Sequence, residues 1–518
     1  MSRAKSPSSA ARIDMYLAIA FIAVAIATQI WHPFVLGFYH DDWGLFVQPR
    51  LHSQDFHYLG TWHLDRPGYS IFSKLMLEFW DGSTTTFHLI KITIGLLTAA
   101  AIAWTIIVYQ TAFGSRSLAL AASGAAFWLA APWSLGYSLW PTAAFTNISV
   151  LFLCPSAIAV VCWVERNDLV WLATATATLA VSVFFYQSTW LAVFPFVAVI
   201  GLREWWNAQP LRRTLVAFLA LAAVQSGSIV LTWLYSPKAP NPHVFALFRE
   251  NMKRVTRLAV EHFGTTGNVC LMTAVALCVV AAVAILWTRG TQSRLRVIAG
   301  LLLILTGLAA TSAVYASANY GLATSGIFSR TTQMVDFWLA VGGAILFAPA
   351  LRDAATTKVH AIGLSLSLTL VGACALAYWP AAKPWVRSWE LQRTILENSG
   401  QLADKLRDGD VVLADVPLQV ESVTVFGAPW DITPAVLVHN ADRRPDLAYR
   451  SPTVQIIPPL DLPLAWKTGE FTVAPGWTLP AKRLLLWRWQ AGVVSTVDSP
   501  TATRAELLGM LGIPPKPH

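Results

Sequence analysis

The feature that most restricts this chain is a recurrence of apolar runs, each about 17 to 25 residues long, from Met15 to about Tyr378. A run of that length spans the ~30 Å hydrocarbon core of a bilayer as a single helix. Window reading places about eleven of them, near 14–36, 87–113, 118–133, 145–164, two within 169–202, 214–235, 269–287, 297–315, 332–351 and 361–379. The run 169–202 is too long for one helix, and its polar centre FFYQSTW suits a turn between two. With 55% hydrophobic and only 13% charged residues among 518, the chain is too apolar for a water-soluble globule. The expected fold class is an α-helical polytopic membrane protein.

Charge sets the expected orientation. The basic, Ser-rich tail 1–13 is placed in the cytoplasm, and no small-residue cleavage site stands out after the first run, which is therefore expected to stay as an anchor. Alternating the spans from there puts Arg116, Arg166, Arg203, Arg212, Arg213, Arg289, Arg294, Arg296, Arg352 and Lys358 on the inner side, as the positive-inside rule requires. The net charge of +9 comes from such flanking segments, so it points to anionic lipid headgroups and not to nucleic acid. The five cysteines, Cys154, Cys162, Cys270, Cys278 and Cys374, fall within expected spans and lack metal-ligand spacing.

The membrane part is assigned to 14–379, with two long outer loops at 37–86 and 236–268. The second loop contains HVFALFRENMKRVTRLAVEHF, whose apolar and basic positions alternate as in a helix lying along the interface. After Pro380 the hydropathy falls. KPWVRSWELQRTILENSGQLADKL reads as an amphipathic helix, GDVVLADVP and RLLLWRW as strands, and 380–518 is expected to form a small extracytoplasmic α/β domain.

Ionisable groups at a membrane boundary are costly unless they face water or a partner. FYHDDWGLF, just past the first run, puts Asp41 and Asp42 there, flanked by His40 and Trp43. The structural alternative is that one aspartate caps a helix and the other is solvated. The same loop adds Trp62, His63 and, in LDRPGYS, Arg66. Aromatic faces with polar edges suit sugar rings, so His40, Trp43, Trp62 and His63 are candidate sugar or acceptor contacts, joined by Tyr186 and Gln187 of FFYQSTW. Arg330 is an isolated cation on the side where positive charge is depleted, and it leads the candidates for holding a phosphate, with Arg66, Arg254 and Arg257 behind it. No HExxH or other recognised ligand spacing occurs; Asp41 and Asp42 could share a divalent cation, Mg or Mn, with substrate phosphates, but two carboxylates identify no metal.

An Asp-Asp pair just beyond the first span, in a long first outer loop of a polytopic chain with an exported C-terminal domain, resembles the GT-C superfamily of integral membrane glycosyltransferases. HDDW followed by DRPGYS also looks like its bacterial branches that glycosylate envelope polysaccharide or lipid. The resemblance implies an inverting glycosyltransferase of a bacterial inner membrane. It would take a sugar from a polyprenyl-phosphate carrier and pass it to an envelope glycan, lipid or protein acceptor. The family's base falls on Asp41, with Asp42 as acceptor-orienting partner or metal ligand. A lipid-linked-sugar flippase or transporter is the rival, and would place charges at mid-membrane on broken helices in two matching halves; no matching halves are visible. An assembly protein whose exported domain docks a partner is a third reading. No dinucleotide fingerprint or P-loop is present.

Overall fold

The computed structural model of the chain describes residues 9–47, 66–235, 241–262, 280, 291–348, 356–448, 454–459, 463–474 and 476–513. The apolar runs fold as helices where they are expected: α1 (Ser9–Gln29), then α2 (Pro67–Phe79) in the first long loop, α3 (Thr84–Ala112), α4 (Leu118–Ala130), α5 (Leu135–Leu139), α6 (Ala144–Arg166), α7 (Leu169–Phe185), α8 (Val193–Trp206), α9 (Arg212–Tyr235), α10 (Val244–His262), α11 (Thr291–Ser317), α12 (Gln333–Phe347) and α13 (Thr356–Glu397). Six of the described segments are long and apolar enough to cross a membrane, or seven if Leu118–Ala130 and Pro132–Leu139 form one broken span. The chain is a multi-pass helical membrane protein. The helices α7, α8 and α12 stand where spans five, six and ten were expected but are shorter, and the expected span 269–287 lies outside the described residues apart from Val280.

Local sequence explains the helix starts. Ser83 accepts from the Thr86 N–H at 3.1 Å, Ser117 from Leu120 at 3.2 Å and Asp168 from Val170 at 3.0 Å, each satisfying a donor that the first helical turn leaves open. The run 169–202 breaks after Phe185 into a 3₁₀ turn, Gln187–Thr189, as its polar centre suggested. Close packing in the bundle relies on small residues: a Cβ at Gly300 would lie 2.9 Å from the Gly342 carbonyl, so α11 and α12 approach nearly backbone to backbone.

The third expected span departs from a straight helix. It bends by 50° at Pro132, which brings no N–H to the ladder, and continues as a buried hairpin through Pro132–Ser134, α5 and Pro141–Ala143 into α6. Two buried charges pin this hairpin. Lys91 of α3 donates to the carbonyls of Tyr137 and Ser138, the latter at 2.8 Å, closing the C-terminal end of α5. Asp336 of α12 accepts from Trp133 Nε1 at 2.7 Å and from the Ser134 hydroxyl. Both buried ionisable groups are thus satisfied by the backbone or side chains of this one hairpin.

The ends of the bundle differ in charge. At the C-terminal end of α3, Arg203 donates to Ala112 O at 3.3 Å and pairs with Glu165 at 2.8 Å; Arg213 reaches Val164 O and Arg296 reaches Ala348 O. At the other end of α3, roughly 43 Å away for its 29 residues, His88 donates to Gly37 O at 2.9 Å beside the hairpin and the DDW segment. Of the basic residues expected inside, Arg203, Arg213 and Arg296 thus gather at the end of the bundle opposite the paired aspartates.

Helix α13 runs 42 residues and contains both Pro380 and Pro384, so the last apolar run and the amphipathic helix after it form one continuous rod. Beyond it lies an α/β region. Asp410–Asp415 pairs in parallel with Gln455–Ile457 on one side and with Arg483–Arg488 on the other, and Val493–Thr496 closes this sheet antiparallel. Both expected strands are central partners here. A second, antiparallel sheet orders Thr501–Thr503, Ala465–Lys467, Gly469–Ala474 and Trp477–Ala481; helix α14 (Pro429–His439) packs by the Gln455–Ile457 strand of the first sheet, and helix α15 (Arg504–Leu511) follows the second. One apolar cluster joins Phe38, Trp43, Phe46, Tyr69 and Trp80 of the first loop to Val412, Phe426, Ile432 and Trp487 of the C-terminal region, so the DDW segment is built into that region's core.

Candidate active site

The adjacent aspartates fall into opposite environments. Asp42 is fully buried. One oxygen accepts from the Tyr39 N–H at 2.7 Å, the other from the Thr142 N–H at 2.9 Å and from the Thr142 hydroxyl. Burial, with a smaller contribution from Asp41, outweighs these donors and pushes its pKa up to about 8. Asp42 thus clasps the first loop to the hairpin with both oxygens engaged, where the expectation was an acceptor-orienting group or metal ligand. Replacing it with alanine strands two backbone N–H groups and a hydroxyl, each worth about 1–3 kcal/mol when left without an acceptor. Asp42→Ala is expected to lower the thermal unfolding midpoint in detergent clearly, whereas Asp41→Asn leaves it near the parent value.

Asp41 is half-buried, its side chain 32% exposed. His40 Nδ1 donates to Asp41 Oδ1 at 2.5 Å, and Trp430 Nε1 donates to the same oxygen at 3.2 Å. Burial would raise the carboxyl's pKa, but the His40 hydrogen bond and charge, the Arg330 charge and the Trp430 donor together hold it below the usual carboxylate range. For His40 burial lowers the pKa, and the Asp41 hydrogen bond with the charges of Asp431 and Asp41 more than reverse that. Both shifts describe one ion pair. It is lost as pH rises through the raised His40 value or falls through the lowered Asp41 value. His40 holds a left-handed backbone, φ +46°, unusual for a side chain other than Gly, Asn or Asp and enforced by the turn that clasps Asp42.

The third carboxylate comes from the C-terminal region. Asp431, in the first turn of α14, is buried; its Oδ2 accepts from Gly427 N–H at 3.1 Å, and its Oδ1 has no hydrogen-bond partner and lies 3.9 Å from His40 Nδ1. Burial drives its pKa up to about 7, against the pull of His40. His40, Asp41 and Asp431 each aim one ligand atom into a space within which those atoms lie no more than 4.8 Å apart. One imidazole nitrogen and two carboxylate oxygens, one of them unpartnered, fit a divalent cation. The trio would hold such an ion only with His40 giving up the Nδ1 proton that it donates to Asp41.

Cations and rings form the facing wall. Arg330 lies in the 3₁₀ turn Ile327–Thr332, with its guanidinium 4.7 Å from the Trp140 ring and 5.4 Å from that of Phe328. Its Nη1 donates to Ile327 O at 3.3 Å, and Arg66 stands 5.5 Å over the ring of Tyr186 nearby. Burial would raise the Tyr186 pKa; the two guanidiniums lower it. The turn is seated against the hairpin: Gly136 N–H donates to Ser329 Oγ at 2.6 Å, and a Cβ at Gly136 would lie 2.6 Å from Arg330 N. Trp140 itself donates to Tyr39 O at 2.9 Å, which ties this wall to the Asp41 turn.

Among solved structures, the chain is similar to ArnT from Cupriavidus metallidurans bound to undecaprenyl phosphate, at 13% identity and TM-score 0.39 over 83% of this chain and 88% of that one. It is similar to the apo form of the same protein, at 12% identity and TM-score 0.42 over 86% and 89%. It is also similar to arabinofuranosyltransferase AftD from Mycobacteria, at 15% identity and TM-score 0.45, covering 81% of this chain but 31% of that one. No family model and no curated protein matches the sequence. The chemistry that follows rests on this chain's own residues.

Of the expected site residues, the structure brings together His40, Asp41, Arg330, Arg66 and Tyr186. Trp43 is not with them: it is buried, its indole N–H donates to Gln392 Oε1 at 2.9 Å, and its ring packs on Phe38 and Trp389, so it serves the core and not a sugar. Arg254 donates to Leu322 O at 2.8 Å and pairs with Glu250, and Arg257 is exposed on α10; both stand on a helix outside the cluster. Gln187 sits in the 3₁₀ turn after Tyr186. Trp62 and His63 lie outside the described residues. Sequence reasoning missed Trp430 and Asp431, whose only local signal is the helix start PWD, and Trp140, in the Gly- and Pro-punctuated tract WSLGYSLWP.

Proposed function

We propose that the chain is an inverting glycosyltransferase that moves a sugar from a polyprenyl-phosphate carrier to an envelope glycan, lipid or protein acceptor, at the outer face of a bacterial inner membrane with its N-terminus cytoplasmic. The observation that carries this reading is a half-buried carboxylate held below its ordinary pKa, Asp41, with the Arg330 guanidinium near enough to lower it and Arg66 over the Tyr186 ring. The gathering of the basic flanks at the opposite end of the bundle supports the orientation.

In this scheme the acceptor hydroxyl donates to Asp41, and its oxygen attacks the anomeric carbon from the side opposite the leaving phosphate. The bond from that carbon to the phosphate oxygen breaks, and its electron pair leaves with the polyprenyl phosphate, whose charge is met by Arg330 and Arg66. A carboxylate held below its ordinary pKa is a weak base. It suffices because an oxocarbenium-like transition state makes the hydroxyl acidic only as its new bond forms. A divalent cation, held by His40, Asp41 and Asp431, would add positive charge for a donor phosphate.

The deciding experiment is transfer from a radiolabelled polyprenyl-phosphate sugar by the detergent-solubilised protein with no transmembrane gradient. A flippase gives no product under those conditions. Acidity supplies a finer test. Because Asp41 stays ionised well into acid, kcat/KM should hold down to about pH 5. Trp430→Phe removes one donor to that carboxylate and raises its pKa, so the acid limb should move to higher pH while the neutral rate changes little. An unmoved limb would take Trp430 out of the site.

A further inference from the structure

Helix α10 carries a feature that the transfer chemistry does not use. Phe245, Arg249, Lys253 and Arg257 follow one another at four-residue spacing, a single stripe along the helix, and all four are exposed, Phe245 at 86%. The carboxylate described beside the stripe, Glu250, is paired with Arg254. The helix stands close to the membrane interface: α9 ends in exposed Trp233 and Tyr235, side chains that favour the headgroup level, and α10 packs on the C-terminal part of α11 through Met252 against Ser312. Cations on this side run against the charge bias of the rest of the chain.

The opposite face of α10 holds the segment leading to Arg330. Asn251 Nδ2 donates to Tyr320 O at 3.2 Å, Asn251 Oδ1 accepts from Leu322 N–H at 2.9 Å, and Arg254 donates to Leu322 O at 2.8 Å. The next residue, Ala323, donates through its N–H to Thr331 Oγ1 at 2.9 Å, one residue from Arg330. Three exposed cations thus sit on one side of a helix whose other side is stitched to the guanidinium turn.

We infer that Arg249, Lys253 and Arg257 form a docking strip for the anionic headgroups of bilayer phospholipids, and that lipid held there braces the Arg330 turn through Asn251, Arg254 and Leu322. The occupant follows from charge and level: three cations, an exposed aromatic ring at the same helix face and an interfacial position match a lipid phosphate surface.

The test uses the full chain in a neutral detergent, titrated with mixed micelles of phosphatidylglycerol or of phosphatidylcholine, with the thermal unfolding midpoint as readout. Phosphatidylglycerol should raise the midpoint and slow amide exchange over 320–332, and phosphatidylcholine should do neither. Arg249→Gln, Lys253→Gln and Arg257→Gln combined should raise the half-saturating phosphatidylglycerol concentration by about 100-fold and remove the exchange effect. Removing the same charge elsewhere, at exposed Arg407, Lys467 and Arg488, should change neither. An equal response to both lipids, an equal response to inorganic phosphate, or a triple stripe variant that titrates like the parent overturns the docking strip. Binding that leaves exchange at 320–332 unchanged overturns the brace. None of these readouts depends on transferase activity.

Discussion

Asp41→Asn is expected to lower sugar transfer by about 10²- to 10⁴-fold, the range general-base groups contribute, while the protein still folds and inserts. The amide keeps the shape of the carboxylate and can still accept from Trp430 Nε1, so the turn and its contacts to α14 persist. What it loses is the negative charge that orients the acceptor hydroxyl and receives its proton. It also loses the partner that keeps His40 protonated, so the pH behaviour of the imidazole should fall back toward the ordinary histidine range. Transfer rates with saturating donor and acceptor, beside an unfolding curve, separate this from damage to the fold. Full activity in Asp41→Asn would end the catalytic assignment; an equal loss in Asp42→Ala without a change in unfolding would move it to the neighbour.

The contrast between these two residues shows where sequence reading stops. Spans are legible because length and apolarity are local properties, and the strands at Asp410–Asp415 and Arg483–Arg488 are legible because short apolar runs beside turn signals are local too. Asp41 and Asp42, by contrast, are the same letter twice. What makes one a buried clasp is Thr142, 100 residues on, and the setting of the other, half-buried carboxylate is made partly by Trp430, 389 residues on. Trp43 carries the composition of a sugar platform but meets Gln392 of α13 and is absorbed into the core. The bend at Pro132 had a visible cause, but the burial of the whole hairpin depends on Lys91 and Asp336, which no window of hydropathy singles out.

Arg330→Ala should cost roughly 10²- to 10³-fold in transfer, as expected for removing a preorganised group that meets charge developing on a leaving atom. The side chain is preorganised by the Trp140 face at 4.7 Å, the Phe328 ring at 5.4 Å and its own hydrogen bond to Ile327 O. Its turn cannot swing away, because Gly136 and Ser329 lock it to the hairpin. The loss should therefore fall on donor use, seen as a larger fall in kcat/KM for the lipid-linked sugar than for the acceptor. Arg330→Lys keeps one charge but neither the flat stacking on Trp140 nor a forked contact to phosphate, and should recover only a small part. Tyr186→Phe removes a phenol that feels both guanidiniums but leaves the cations and the ring under Arg66 in place, so its effect should be milder. If donor dependence is unchanged in Arg330→Ala, the phosphate sits elsewhere, and Arg66, across the Tyr186 ring, becomes the cation to test.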